Sequence, residues 1–252
     1  MQALRSLVFN IFFMGLTAIA AVAGLVLMPF SRELMHKTLR NWCQFIKFGL
    51  KWIVGIDHEI RGRENIPAGP AIFSSKHQSA WETFMFFTIL DGPVYILKQE
   101  LVKFPILNWY AKKSGMIAVD RQGGGAALKK MIRDARQRLD EGHSVIIFPE
   151  GTRAKPGTRN PYHPGIAALY SHCKVPVVPV ALNSGLFWGR RAFTKQPGRI
   201  IVEFLPKMET GLKSRAFMTA LEKAQETASA ALIEETIKRF PHTAKNVSLS
   251  TE

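Results

Sequence analysis

The chain has 252 residues, 47% hydrophobic and 21% charged, a balance that builds a core and excludes a disordered chain. Its 34 Lys+Arg outnumber 19 Asp+Glu, a formal charge of +15, so the expected partner is polyanionic: nucleic acid, an anionic membrane surface or a phosphorylated substrate. Two cysteines, Cys43 and Cys173, with no CxxC pair argue against a zinc site or disulfide framework and fit a reducing compartment.

The first element is apolar. The 26 residues between Arg5 and Arg32 carry no charge, and as a helix they span roughly 39 Å at 1.5 Å per residue, enough to cross a hydrocarbon core. Pro29 stands where such a helix ends. Ala18-Ile19-Ala20 and Ala21-Val22-Ala23 offer small-residue patterns for signal-peptide cleavage, yet Arg5 alone marks a basic start and apolar sequence continues past both. The reading is a membrane-retained helix. Ser31 to Gly55 follows as a basic amphipathic helix, with Arg32, Lys37, Arg40, Lys47 and Lys51 set among Leu39, Trp42, Phe45 and Trp52. It suits a headgroup region rich in anionic lipid, and equally a helix packed on the soluble domain; the two helices also fit a hairpin entering one leaflet. One cation before the apolar segment and several after it place the rest of the chain in the cytoplasm.

From Asp57 onward, β-rich runs at 71–74, 94–97, 116–119, 145–148, 177–181 and 200–204 alternate with helical patterns at 126–141, 165–173 and 214–240. The expected fold is α/β, a mixed sheet flanked by helices and preceded by an N-terminal membrane-associated helical segment. The parts are residues 1–55 (membrane-inserted and amphipathic helices), 56–240 (the α/β domain) and 241–252, a polar tail expected to fray. Pro179 inside a strand predicts an edge or a bulge.

Chemistry gathers at strand ends, where sites form in α/β folds. The strand at 71–74 runs into Ser75-Lys76-His77-Gln78-Ser79-Ala80-Trp81-Glu82. A carboxylate beside an imidazole takes the proton of one ring nitrogen and leaves the other free as a base, so His77 and Glu82 form a candidate pair; alone, a His-x4-Glu spacing carries little weight. The strand at 145–148 ends in Pro149-Glu150-Gly151-Thr152-Arg153, where the glycine permits a tight turn, the hydroxyl donates and the guanidinium offers a fork to phosphate. Arg121 follows the strand at 116–119 and Lys98 the one at 94–97. A base and three cations delivered to one sheet edge point to a phosphate-bearing substrate. Other features read blandly. Gly123-Gly124-Gly125 lacks P-loop spacing and reads as a connection, Ser75 and Ser79 belong to no Gly-x-Ser-x-Gly elbow and read as turn residues, Cys173 reads as packing, and Lys129, Lys130, Arg133, Arg136 and Arg138 read as a solvated helix face.

In order and spacing, His77-x4-Glu82, Gly115–Arg121, Phe148–Arg153 and Val175–Val180 resemble the four motif blocks of the glycerolipid acyltransferases, with the nearest likeness to the 1-acyl-sn-glycerol-3-phosphate (lysophosphatidic acid) acyltransferases. The likeness runs from about Gly62 to Leu205. One departure is that the first block usually ends in Asp, where this chain has Glu82. The resemblance implies direct transfer from acyl-CoA or acyl-carrier protein, with His77 deprotonating the glycerol hydroxyl, Glu82 orienting His77, and no metal or organic cofactor. It also implies an acceptor site shaped by Arg121, Glu150, Gly151, Thr152 and Arg153, with Arg153 and Lys98 on the phosphate, and an oxyanion met by backbone amides in the turn after His77. The implied setting is a membrane enzyme of phospholipid biosynthesis facing the cytoplasm, in contact with anionic lipid and no nucleic acid. Competing readings are an acyltransferase for another lyso-lipid such as a lyso-ornithine lipid, a non-catalytic basic protein that binds membrane lipid or nucleic acid, and a hydrolase in which His77 activates water.

Overall fold

Alternation of apolar side chains between two faces turns the short runs into one seven-stranded sheet in the computed structural model, which describes residues 1–248. The strands are β1 (Ile56–Arg61), β2 (Ile72–Ser75), β3 (Val94–Lys98), β4 (Ile117–Val119), β5 (Val145–Ile147), β6 (Val177–Leu182) and β7 (Gly198–Phe204), in the order β1-β7-β6-β2-β5-β3-β4. From β6 to β4 every pairing is parallel; β7 joins β6 antiparallel, and β1 joins β7 parallel. The sheet is therefore mixed, as expected.

The helices are α1 (Gln2–Val26), α2 (Arg32–Gly49), α3 (Glu82–Ile89), α4 (Pro105–Lys113), α5 (Gly124–Asp140), α6 (Gly165–Cys173) and α7 (Ser214–Arg239). Phe73, Ile146 and Val178 face a core shared with α1, α2 and α3, while their neighbours Ile72, Val145 and Val177 face a second core with α5, α6 and Phe217 of α7. Gly123-Gly124-Gly125 runs into the first turn of α5, and half-buried Cys173 packs against the second core.

The N-terminal segment is a helical hairpin laid on the domain. Ser31 caps α2, its side chain accepting from the Leu34 amide at 3.2 Å, and a π-helical turn, Leu50–Val54, ends at left-handed Gly55. Phe9 of α1 is fully buried against Trp188 and its neighbours, a burial worth about 1.5–3 kcal/mol. Gly49 lets the helices close, since a Cβ there would stand 2.4 Å from the Phe12 ring. Both ends of α1 are tied to the domain. Gln2 donates to the Lys195 carbonyl at 2.8 Å, and at the other end the Tyr110 hydroxyl donates to the Ala21 carbonyl; within the hairpin, Arg5 donates to the Ile53 carbonyl at 2.6 Å. The opposite face of α1, including Val8, Ile11, Ile19 and Val22, is exposed, as are Phe45, Phe48 and Trp52.

Two expectations are corrected. Pro179 is neither at an edge nor on a bulge: β6 has neighbours on both sides. The Pro179 carbonyl accepts from Leu205 on the β7 side, so its missing N–H falls there too, just outside the antiparallel ladder that starts at Val180↔Phe204. The tail after Pro241 does not fray at once. Pro241–Asn246 forms a 3-10 helix, Asn246 donates to the Leu186 carbonyl at 2.7 Å and the Ser248 amide to that of Pro156 at 2.9 Å. Positions 249–252 lie outside the described residues.

Candidate active site

Sheet order sets β2, β5, β3 and β4 side by side and parallel, so four consecutive strand ends open on one edge. His77, Lys98, Arg121, Gly151, Thr152 and Arg153 line a single cavity there of about 910 Å³. Its remaining wall is largely apolar, with Leu39 of α2, Leu107 and Tyr110 of α4, and Leu128 and Met131 of α5.

His77 follows β2 with its ring stacked on Phe148, centroids 4.1 Å apart and planes 18° from parallel. Its Nδ1 lies 2.9 Å from Glu82 Oε1. A carboxylate only accepts, so Nδ1 is the donor to it, and in a neutral imidazole Nε2 is then the basic nitrogen. Glu82, the first residue of α3, is fully buried. Its Oε1 also accepts from the Gln78 and Ser79 amides at 2.7 and 2.6 Å, and its Oε2 from the Ser184 hydroxyl at 2.7 Å. The extra methylene of Glu82 lets one carboxylate span the His77 turn and the segment after β6. Ser79 and Ser75 take local turn roles, bonding the Trp81 amide and the Lys76 carbonyl.

This wiring goes against one expectation: the Gln78 and Ser79 amides, expected to face an oxyanion, both donate to Glu82, and the His77 amide donates to Glu150 Oε2 at 3.0 Å. Glu150 is likewise displaced from its expected place. Its side chain is fully buried beneath the turn, with Oε1 2.5 Å from Lys76 Nζ, and it does not line the cavity. Burial raises its carboxyl above the usual carboxylate range, against the pull of the Lys76 charge. The Glu150 carboxylate therefore faces the turn before and at His77, and not the cavity.

Gly151 turns at φ +65, its amide donating to Phe148 at 3.0 Å. A Cβ would stand 2.9 Å from the His163 ring and 3.1 Å from Arg121, so the turn and its close neighbours demand glycine. Arg121 donates to the Gly151 carbonyl. The Ala154 amide donates to the His77 carbonyl at 2.8 Å, which ties the Thr152-Arg153 loop to the His77 turn, and His77, Thr152 and Arg153 line the same cavity. Arg153 makes no ion pair among the described residues, whereas Lys98 is half-exposed and 3.1 Å from Glu100.

Sequence reasoning misses Lys76, Ser184, Glu226, Arg190 and Arg191. The arginine doublet, which lines the same cavity, carries a charge signal but belongs to no strand-end block. The other three are ordinary polar residues until folding brings them together.

A family profile described as Acyltransferase matches residues 57–183. The chain is 34% identical over 240 residues to the 1-acyl-sn-glycerol-3-phosphate acyltransferase of Pseudomonas aeruginosa, covering 92% of each. It is 33% identical over 165 residues to the alpha form of that enzyme in Mus musculus, covering 64% of this chain and 58% of the relative. Its fold superposes on the crystal structure of the 1-acyl-sn-glycerophosphate (LPA) acyltransferase of Thermotoga maritima with a TM-score of 0.73 and 21% identity, covering 92% of this chain and 99% of that one.

Proposed function

This chain belongs to the glycerolipid acyltransferase family, and we propose that it acylates the free hydroxyl of 1-acyl-sn-glycerol-3-phosphate, giving phosphatidic acid in phospholipid biosynthesis, with acyl-CoA or acyl-carrier protein as donor. The observation that carries this reading is the His77–Glu82 pair opening on a cavity with cations on one wall and apolar side chains on the other. The acceptor's phosphate lies against Arg153, Arg121 and Lys98, and acyl chains lie along α2, α4 and α5.

His77 Nε2 takes the hydroxyl proton as the glycerol oxygen attacks the thioester carbonyl. The tetrahedral intermediate then expels the thiolate, which takes up the hydroxyl's proton from Nε2 and leaves as the thiol, so His77 ends as it began. Glu82 fixes the tautomer and stabilises the imidazolium between the steps. With the turn amides occupied, the Thr152-Arg153 loop is left to meet the oxyanion, where fixed donors count most. Labelled acyl donor supplied with lysophosphatidic acid and purified protein tests the reading: phosphatidic acid is the product, and its absence with both donors refutes it.

Glu82 yields a graded prediction. Glu82→Gln removes the charge opposite the imidazolium, a charged hydrogen bond worth about 1.5–3 kcal/mol, so kcat falls roughly ten- to hundredfold. Glu82→Asp keeps the charge but shortens the reach by about 1.5 Å, giving up Ser184 before His77, and retains more activity. The order of the two kcat values checks this, and the reverse order refutes it.

The chain is membrane-associated on this reading, with the hairpin in the cytoplasmic leaflet. A helix whose two ends both bond to one soluble domain lies along that domain, and the exposed face of α1 is then the lipid-facing one. Full-length protein sediments with membranes and resists high salt, because apolar burial is not screened by ions. Ile11→Glu combined with Val22→Glu, both more than 60% exposed in the parent, makes it salt-extractable without emptying the Phe9 socket. Retained salt resistance in that variant contradicts the placement.

A further inference from the structure

Lys76, the residue before the base, is buried to 2% exposure, where an amine persists only with partners. Its Nζ lies 2.5 Å from Glu150 Oε1 and 2.6 Å from Glu226 Oε1. Glu226 stands on α7, 11% exposed, and also accepts from the Tyr162 hydroxyl at 3.2 Å. Glu150's second oxygen takes the His77 amide at 3.0 Å. The neighbouring Gln225 of α7 is fully buried and donates to the Ser74 and Val180 carbonyls at 2.8 and 3.1 Å. Hence α7 grips the last turn of β2 twice: by the main chain before His77, and by a charge chain that ends on His77's own amide.

We infer that Lys76 and Glu226, through Glu150, are positioning residues that fix the His77 turn so that its imidazole stays on Glu82 and Phe148. Apolar side chains of equal volume would fill such a space at least as stably as buried charges, so stability alone does not account for three of them here. What apolar packing lacks is direction. Glu150 accepts the His77 N–H only while Lys76 holds its other oxygen, and Lys76 is aimed by Glu226 on a helix anchored in the second core. A turn displaced by an ångström misaligns the base with the hydroxyl, and misplacement on that scale costs on the order of a hundredfold in rate. No substrate contact is involved, since neither Lys76 nor Glu226 lines the cavity.

The inference rests on His77 acting as the base, and a double-mutant cycle in the full-length protein separates the two claims. Glu226→Gln keeps shape and loses charge. It lowers kcat about tenfold or more, leaves KM for acceptor and donor within about twofold, and adds little further loss in a His77→Ala background, because both changes act on the same group. Glu226→Asp, which retains the charge, falls between the parent and Glu226→Gln and provides the readout should the glutamine variant fold poorly. Parental kcat in folded Glu226→Gln overturns the inference, as do losses that multiply in the cycle or a rise in KM alone. Near-parental activity of His77→Ala would instead overturn the functional reading on which it rests.

Discussion

His77→Ala lowers turnover by about 10²–10⁴-fold, the usual contribution of a positioned general base, while the protein still folds and reaches the membrane. The fold survives because the side chain does little structural work: it stacks on Phe148 in the cavity wall and donates to Glu82. Glu82 is not orphaned by the change, since it keeps the Gln78 and Ser79 amides and the Ser184 hydroxyl, so no buried carboxylate is left without donors. The main-chain bonds of residue 77, to Glu150 and from Ala154, are independent of the imidazole. Turnover should be compared in preparations whose thermal melts match; near-normal turnover in a folded variant removes His77 from the mechanism.

Arg153→Ala is expected to lower kcat/KM for lysophosphatidic acid roughly ten- to hundredfold, the value of one lost hydrogen bond to a charged group at about 1.5–3 kcal/mol. Arg153 lines the cavity on the loop tied to His77 through Ala154 and pairs with no carboxylate among the described residues, so its charge is available to an anion. Arg153→Lys keeps the charge without the planar two-pronged donor and recovers only part of the loss. The effect depends on the phosphate: a lyso-lipid without one is used poorly by the parent and is less sensitive to the change. Equal losses on both kinds of acceptor would move Arg153 to a structural or donor-side role.

Much of this architecture is legible in the sequence because buried parallel strands read as short apolar runs and α6 and α7 as periodic ones. β1 is missed for a physical reason. Asp57, His58 and Glu59 break its apolar pattern, which an edge strand tolerates, and Glu59 pairs with Arg61 across its own strand at 2.7 Å. α4 is missed because none of its residues is buried, so its Ile106, Leu107 and Trp109 have no periodic core face to announce it. At the site, four strand-end blocks point to one edge because the topology is parallel. Spacing shows that Glu150 belongs to a block but not which way it points, and only the Lys76 and Glu226 contacts show it facing inward. The turn amides look free until Glu82 is seen to take them. Lys76 and Glu226 are 150 residues apart, and nothing local links them.

Acyl transfer to a phosphate-bearing lyso-lipid with His77 as base is tested most directly by competition among acceptors. Purified protein in detergent is given labelled acyl-CoA or acyl-carrier protein together with equimolar lysophosphatidic acid and lyso-ornithine lipid, and the labelled products are separated. Label accumulates in phosphatidic acid with the parent and falls by two orders of magnitude or more with His77→Ala. Label that accumulates in the phosphate-free product, or that His77→Ala leaves unchanged, contradicts the account.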